Sequence, residues 1–219
     1  MKKIIILASI FMLFAMSILA EESVGIALKV KGDVFLSHQK EVTKAADGSE
    51  LENEDKLESK EESYAFVKFI DGSSVVKLFP NSILTINTSK ENGKMNKNTK
   101  INIGELWAKV TKNSGDFIVD TPTTVVSVKG TRFVLAVDEN GVTDLFTLDG
   151  VVNIRNKEDD NETDVGAGKK ARTSGSGEIV ISNIEENEMD DYDIPISETM
   201  NINLKNEDGE QRSIKIDFE

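Results

Sequence analysis

The chain has 219 residues, of which 38% are hydrophobic, and it carries a formal net charge of −13. That length suits one domain of ordinary size with appendages. A surface this acidic repels phosphate backbones and anionic lipid headgroups, so the composition argues against a nucleic-acid partner. The sequence contains no cysteine, which excludes disulfides, thiolate metal sites and a cysteine nucleophile.

The N-terminus has the form of a signal peptide. A basic start, Met1-Lys2-Lys3, precedes the uncharged run Ile4–Ala20. Because this run is short for a membrane span, we predict cleavage, after either Ser17 or Ala20, rather than anchoring. Loss of the two lysines takes the net charge from −13 to −15. Residues 1–20 are therefore predicted to be a signal peptide, and the mature chain is expected to be periplasmic or secreted.

Strand-like alternation of apolar residues begins at Val24 and pauses in the polar stretch 38–63. We interpret that stretch as a long connection whose Leu51 and Leu57 dock on the core. A helix through residues 50–62 is the alternative, but the segment forms no apolar stripe.

Hairpins and further strands are predicted after this connection. Residues 65–69 alternate, Asp71-Gly72 offers a turn, and Pro80 breaks the returning strand because proline cannot donate to a ladder. The Lys/Asn-rich stretch 89–100 is predicted to be a solvated, mobile hairpin end.

The single tryptophan, Trp107, has strand parity opposite to that of Leu106, Ala108 and Val110. If those three residues face the core, Trp107 points outward and is a candidate contact residue, since aromatic side chains anchor interfaces. The alternative is that Trp107 covers a second face of the sheet under a loop.

Residues 116–154 combine β-branched and aromatic residues with turns. Val126 and Val128 share one parity, whereas Phe133 begins a strand of the other parity. A strand has period two, so the switch predicts a bulge or bend at Lys129-Gly130. We expect Gly130 to need a positive φ.

Short motifs in a fixed order resemble the FecR domain, a family named for the periplasmic regulator of iron-citrate uptake. They are V-x-G-x-V at residues 30–34, A-x-V-x-F-x-D-G-S at 65–73, P-x-S-x-L-x-I at 80–86, G-E-L-W-A-x-V at 104–110, and T-P-x-x-x-V-x-V-x-G-T-x-F at 121–133. The resemblance implies an exported β-domain that works by protein contact. The family-motif residues, which we interpret as mainly structural, are Thr121, Pro122, Val128, Gly130, Thr131, Phe133 and Gly150.

The regular spacing of short strands predicts an all-β fold, an antiparallel sandwich or roll of many short strands and hairpins. A β-solenoid-like stack is the alternative. We place the FecR-like β-domain at 21–177, an acidic linker at 178–199 and a C-terminal β-hairpin at 200–219.

Catalytic and metal-binding patterns are scarce. His38 is the only histidine, and no G-x-S-x-G elbow accompanies it. The acidic stretch 156–164 offers carboxylates for Ca²⁺ but lacks the ligand spacing of an EF-hand, so a solvated hairpin tip is favoured. We predict no enzyme and no cofactor.

The sequence thus favours a non-catalytic exported FecR-domain protein that acts as a protein-binding or sensing module in the cell envelope. A structural or glycan-associated envelope component is the alternative. Because the predicted export signal begins at Met1, we expect no cytoplasmic anti-sigma portion in this chain. We expect an envelope protein as partner, no nucleic acid, and no membrane insertion after cleavage.

Overall fold

The computed structural model describes residues 22–112, 115–175, 177–190 and 192, and the backbone of 199–205 and 211–217. Within these ranges the protein is all-β, with twenty strands and no helix. The strands are β1 (Gly25–Lys31), β2 (Val34–His38), β3 (Glu41–Lys44), β4 (Glu50–Leu51), β5 (Lys56–Ser59), β6 (Tyr64–Phe69), β7 (Ser74–Leu78), β8 (Ile83–Thr85), β9 (Thr88–Glu91), β10 (Lys94–Val110), β11 (Phe117–Asp120), β12 (Thr124–Val128), β13 (Arg132–Val137), β14 (Thr143–Asp149), β15 (Val151–Asn156), β16 (Glu162–Gly166), β17 (Lys169–Thr173), β18 (Ile179–Asn183), β19 (Thr199–Lys205) and β20 (Gln211–Asp217).

Hydrogen bonds join β1 to β18 into one curled sheet, which we describe as a front and a back layer. The front layer contains, in spatial order, β4, β1, β6, β7, the second half of β10, β13, β14, β17 and β18. The back layer contains β3, β2, β5, β8 with β9, the first half of β10, β11, β12, β15 and β16.

The long strand β10 belongs to both layers because it bends at Gly104. This glycine has a φ of +99°, and a Cβ atom there would lie 2.4 Å from the Cα atom of Ser82. Real Cβ atoms do not approach a backbone that closely, and positive φ is unfavourable for other residues. Glycine is therefore the residue that lets the strand cross from the back layer to the front.

The strand pairings are antiparallel, with one exception in which β10 and β11 run parallel. The exception arises because β10 crosses to the front layer before the chain returns to the back layer as β11. Elsewhere after β1, the chain forms a hairpin in one layer and then crosses to the other, except at β4 and β5, which are single strands in the front and the back layer. The predicted all-β fold is confirmed.

The main core lies between the two layers. Its aromatic centre is a row of three rings, in which Phe117 of the back layer contacts Phe69 and Phe133 of the front layer at centroid distances of 6.1 and 6.4 Å. Both contacts are edge-to-face, a preferred geometry for aromatic pairs. Alternating aliphatic side chains from both layers surround these rings.

Two predictions for the first half of the chain need correction. The stretch 38–63 carries β3, β4 and β5 rather than an irregular connection, although its leucines do dock on the core with no exposed surface. The stretch 89–100 forms the predicted hairpin, from β9 and the start of β10. It is not simply a solvated end, because Met95 and Lys97 are buried.

The C-terminal predictions have a mixed outcome. The linker prediction is wrong for residues 179–183, which form β18 and pair with β17. The hairpin predicted at 200–219 is present in the backbone, where β19 pairs with β20 and Ile202 lies opposite Ile214. Residues 1–20 lie outside the described residues, so the signal peptide stays a prediction.

Candidate interaction surfaces

Each layer ends in edge strands, whose unpaired backbone groups invite another strand to add. Three of the four edges are protected. In the back layer, β3 exposes Glu41 and Lys44 at one edge, and β16 places Glu162 and Asp164 at the other. Charged side chains on an edge discourage pairing. In the front layer, residues 48–51 cover the edge of β1 through backbone hydrogen bonds, and the Asp47 carboxylate accepts from the Val30 N–H.

The fourth edge, β18, has no such protection. Its sequence, IVISN, contains no charged residue and no proline, and its pairing with β17 shows no bulge. Val180 is 53% exposed and Ile181 is 43% exposed, while Ile179 packs partly on the main core. An apolar, regular edge strand of this kind is a candidate for strand addition.

The backbone of β18 presents donors to solvent. The Ile184 N–H donates to the Gly168 carbonyl at 3.0 Å, on the β17 side. Alternate residues of a paired strand point the same way, so the N–H groups of Ser182 and Val180 also face β17. The N–H of Ile181 therefore points away from β17, and no described strand pairs with that side of β18.

A second apolar cluster lies on the outer face of the front layer. Its buried members are Leu28, Phe66, Val75, Phe79, Trp107, Val134 and Phe146. Lys77, which is 2% exposed, lies among aromatic rings, with its Nζ atom 4.8 Å from the centroid of Phe79 and 5.1 Å from that of Tyr64. A cation at such distances is stabilised by the faces of the rings. We call this surface the aromatic face.

Residues 184–190 and Tyr192 cover the aromatic face, and we call them the acidic strap. Ile184, Met189 and Tyr192 pack against the cluster. Tyr192 contacts the ring of Phe79 at a centroid distance of 5.4 Å and that of Phe146 at 6.1 Å. The predicted acidic linker is thus a packed segment over the part that the structure describes.

Trp107 is a buried member of the aromatic face that this strap covers. Strand parity correctly places it opposite Leu106 and Ala108, which belong to the main core. The side chain is nevertheless only 3% exposed, so the structure shows the second of the two alternatives, in which Trp107 covers a second face under another segment. A partner contact by Trp107 stays a prediction, and it requires the acidic strap to move.

His38 lies between two carboxylates. Its Nδ1 atom is 2.7 Å from Asp55 Oδ1, and its Nε2 atom is 3.4 Å from Glu52 Oε2. Asp55 is 1% exposed and also accepts a hydrogen bond from the Glu52 N–H at 2.7 Å. In a Ser-His-Asp triad a serine hydroxyl occupies the Nε2 side. Here that side faces a glutamate, so the geometry is that of a histidine flanked by two carboxylates.

A buried lysine, Lys97, contacts Ser73 at the end of the main core. This pair was not predicted from the sequence. Lys97, whose side chain is 1% exposed, donates to Asp71, to Ser73 Oγ at 2.6 Å and to the Met95 carbonyl at 2.7 Å. Ser73 Oγ also donates to Asp71 at 2.8 Å. In a catalytic Ser-Lys pair the serine hydroxyl donates to the amine, whereas here the Lys97 amine donates to Ser73 Oγ and the hydroxyl donates to Asp71. The cluster is therefore structural. Lys97 shares the strand parity of the apolar Met95, and this pattern could have predicted that Lys97 is buried.

The family-motif residues hold the fold at hairpins and layer crossings. Thr121 Oγ1 accepts from the Thr124 N–H at 2.9 Å and lies 3.2 Å from Thr143 Oγ1, which closes the turn that contains Pro122. Val128 and Phe133 are core residues, with 2% and 0% exposure.

Two of these residues, Gly130 and Gly150, lie side by side where the chain crosses between layers. Both have a φ of +80°, and a Cβ on Gly150 would lie 2.8 Å from the Gly130 carbonyl. The positive φ expected for Gly130 is present. Thr131, the motif residue next to it, is 2% exposed, and its hydroxyl has no hydrogen-bond partner among the described residues.

No metal-binding cluster occurs in the part of the chain that the structure describes. The acidic stretch 156–164 forms the tip of the hairpin between β15 and β16, where Asp159 and Asp160 bond to neighbouring residues. The described residues also contain no helix long and apolar enough to cross a membrane.

Fold and motif together define an all-β domain with glycines at its layer crossings. Residues 55–153 match the model of the family described as FecR protein. The resemblance to the FecR domain seen in the motifs is therefore confirmed over these residues.

Two crystal structures with a similar fold are both described as a candidate anti-sigma factor from Parabacteroides distasonis ATCC 8503. The structure at 2.50 Å resolution is 19% identical, with a TM-score of 0.51, and that at 1.65 Å is 18% identical, with a TM-score of 0.49. Each match covers 59% of this chain and 60% of the other chain. The likeness is one of fold. No curated protein matches the chain significantly.

Proposed function

We propose that this FecR-domain chain is a non-catalytic, exported module that binds another protein in the cell envelope as part of signal sensing, and that it binds through β18. One observation carries the proposal: β18 is the single edge, among the four that the structure describes, without charge, bulge or cover. Support for export comes from the basic and apolar pattern of residues 1–20. A regulatory role agrees with the description of the two structures of similar fold.

Strand addition explains how β18 would recognise a partner. The outward N–H of Ile181 and the neighbouring carbonyls supply backbone hydrogen bonds, which give affinity for any extended segment. Val180 and Ile181 point to opposite faces of the sheet, so side chains on both faces of the added strand meet apolar contacts. An extended partner segment with alternating apolar residues fits this edge.

The described polar clusters support a non-catalytic role. His38 is engaged by Asp55 on one side and Glu52 on the other, and Lys97 is enclosed by hydrogen bonds. Neither arrangement leaves a nucleophile next to a base at the surface of a cleft, which acyl or glycosyl transfer needs.

Site-specific crosslinking in intact cells tests the proposal. The full chain carries a photo-crosslinking amino acid at position 180 in one version and at position 42 in the other. Val42 is the matched control, because it is 62% exposed on the edge strand β3, beside Glu41 and Lys44. We expect the version altered at Val180 to form one stoichiometric protein adduct and the version altered at Val42 to form at least ten-fold less.

Two results would overturn the proposal. Equal adducts from both positions would mean that β18 has no special role. Enrichment of both versions with cell-wall sacculi, without a protein adduct at position 180, would favour the structural or glycan-associated alternative. A Val180→Lys variant should abolish the adduct at a neighbouring labelled position, Ser182, if strand pairing is the contact.

A further inference from the structure

The aromatic face is unusual for the outside of an antiparallel sheet, which commonly carries polar side chains. Here seven large or branched apolar residues are buried on that side. An apolar outer face of this size needs a cover, since exposed patches of this kind are sites of association. In this structure the cover is the acidic strap, a part of the same chain.

The acidic strap is a light cover. The side chains by which it packs, Ile184, Met189 and Tyr192, are only partly buried themselves. Three backbone hydrogen bonds fold the strap on itself, including Glu188 N to Glu185 O at 3.1 Å and Tyr192 N to Met189 O at 3.2 Å. These bonds stabilise the shape of the strap rather than its attachment to the sheet.

Charge helps to place the strap. Lys170 of β17 forms an ion pair with Glu188, and both side chains are about a quarter exposed. Lys77 adds a second positive charge within the aromatic face itself. The strap brings negative charge to this region, because its described residues include Glu185, Glu186, Glu188 and Asp190.

The fit of the strap is incomplete at Trp107. The indole Nε1 atom is buried and has no hydrogen-bond acceptor among the described residues. Leaving a buried donor unpaired costs about 1–3 kcal/mol. A ligand that offers a carbonyl or carboxylate oxygen at this point would bind better than a purely apolar cover.

We propose that the acidic strap is a displaceable internal ligand, and that the aromatic face beneath it binds an acidic segment of a partner protein carrying two or three large apolar side chains. The strap itself provides the template, with apolar residues at positions 184, 189 and 192 and acidic residues between them. The inference rests on the proposed function only in that the partner is a protein. It uses a different surface from the outer edge of β18.

A peptide with the sequence of residues 184–192, IEENEMDDY, is the probe. It is titrated into the full chain and into the double variant Met189→Ser with Tyr192→Ser, in which the strap has lost two of its apolar contacts. A tethered segment competes at an effective concentration in the millimolar range. We therefore expect the variant to bind the peptide at least ten-fold more tightly than the unaltered chain does.

Trp107 is the single tryptophan of the chain, so its emission reports on this face alone. We expect opening of the strap to shift the emission to longer wavelength, and peptide binding to reverse the shift. A control peptide with serine in place of its isoleucine, methionine and tyrosine should neither bind nor move the emission. A second control peptide, with every acid replaced by its amide, should bind at least three-fold more weakly.

A milder variant keeps the test decisive if the double variant does not fold. Glu188→Lys reverses one charge of the ion pair, on a side chain that is about a quarter exposed, and leaves the apolar contacts intact. We expect a two- to five-fold gain in peptide affinity from it. Equal affinity of all chains for the peptide, or binding that leaves the Trp107 emission unchanged, would overturn the inference. Val180→Lys should not affect peptide binding, so failure at this face is distinguishable from failure at β18.

Discussion

Two buried lysines show how differently the two faces of the front layer are built. Lys97, in the core between the layers, is held by a carboxylate, a hydroxyl and a carbonyl. Lys77, on the outer aromatic face, has its amine against the rings of Tyr64 and Phe79. The first environment has donors and acceptors placed by strands. The second is covered by the acidic strap, which packs through the partly buried side chains Ile184, Met189 and Tyr192. The inner face is therefore a fixed part of the core, whereas a partner segment could replace the strap on the outer face.

The largest effect is expected from Asp71→Ala, which removes the carboxylate partner of Lys97. Loss of one member of a buried pair leaves the other charge uncompensated and costs roughly 3–5 kcal/mol. We expect about 3 kcal/mol, at the lower end, because the Asp71 side chain is 23% exposed. The measurement is the free energy of unfolding in urea.

The matched control is Asp33→Ala. Asp33 also pairs with a lysine, Lys44, but both side chains are about 60% exposed. Such surface pairs contribute about 0–1 kcal/mol. If both variants lose the same unfolding free energy, the buried pair of Lys97 with Asp71 stabilises the fold no more than a surface ion pair does.

Gly130→Val tests the layer crossing on which the inner face depends. The residue has a φ of +80°, and a Cβ would lie 2.1 Å from Lys112 Cγ and 3.1 Å from Lys112 Cα. Strain at positive φ and overpacking together should lower the free energy of unfolding by roughly 2–4 kcal/mol.

Gly72→Val separates these two causes. Gly72 has a φ of +71°, and a Cβ there meets no atom within 4 Å. It should show the backbone strain without the contact, and therefore a loss at least about 1 kcal/mol smaller. An unchanged melting temperature for Gly130→Val would show that the positive φ of Gly130 does not require glycine.

Replacing one methionine on each face by alanine compares how much each face contributes to stability. Met95 is 5% exposed in the main core, whereas Met189 is a partly buried residue of the strap. Met95→Ala should cost about 2–4 kcal/mol of unfolding free energy, because truncation leaves a cavity. Met189→Ala should cost less than about 1 kcal/mol and should move the Trp107 emission, which Met95→Ala should leave in place. Equal losses would show that the strap is part of the permanent core.

The inner face of the front layer could be predicted from the sequence better than the outer face could. Period-two alternation identified most of the strands, and the parity switch located the bend at Gly130, because both are local properties of the backbone. Burial of Trp107 depends on Ile184, Met189 and Tyr192, which lie about 80 residues later in the chain. Their irregular spacing within a run of acids matches no helix or strand period, and a run of charges usually indicates a solvated segment.

The smallest predicted effect is partial opening of the strap at low pH, caused by protonation of Glu188. Its pKa is lowered from the ordinary value of 4.5, first by the hydrogen bond from the Glu185 N–H and then by Lys170. A lowered pKa means that the ionised carboxylate stabilises the closed strap. This contribution is fully present above pH 4.5 and is lost as the pH falls through the lowered value.

We therefore expect the Trp107 emission to shift to longer wavelength on acidification, with a midpoint below pH 4.5. Lys170 also lies near Asp144, whose pKa is raised chiefly by burial, so Asp144→Asn is needed beside the main variant to separate the two carboxylates. Glu188→Gln should remove the shift, whereas Asp144→Asn should retain it. A shift that survives Glu188→Gln would show that another titrating group causes the acid response.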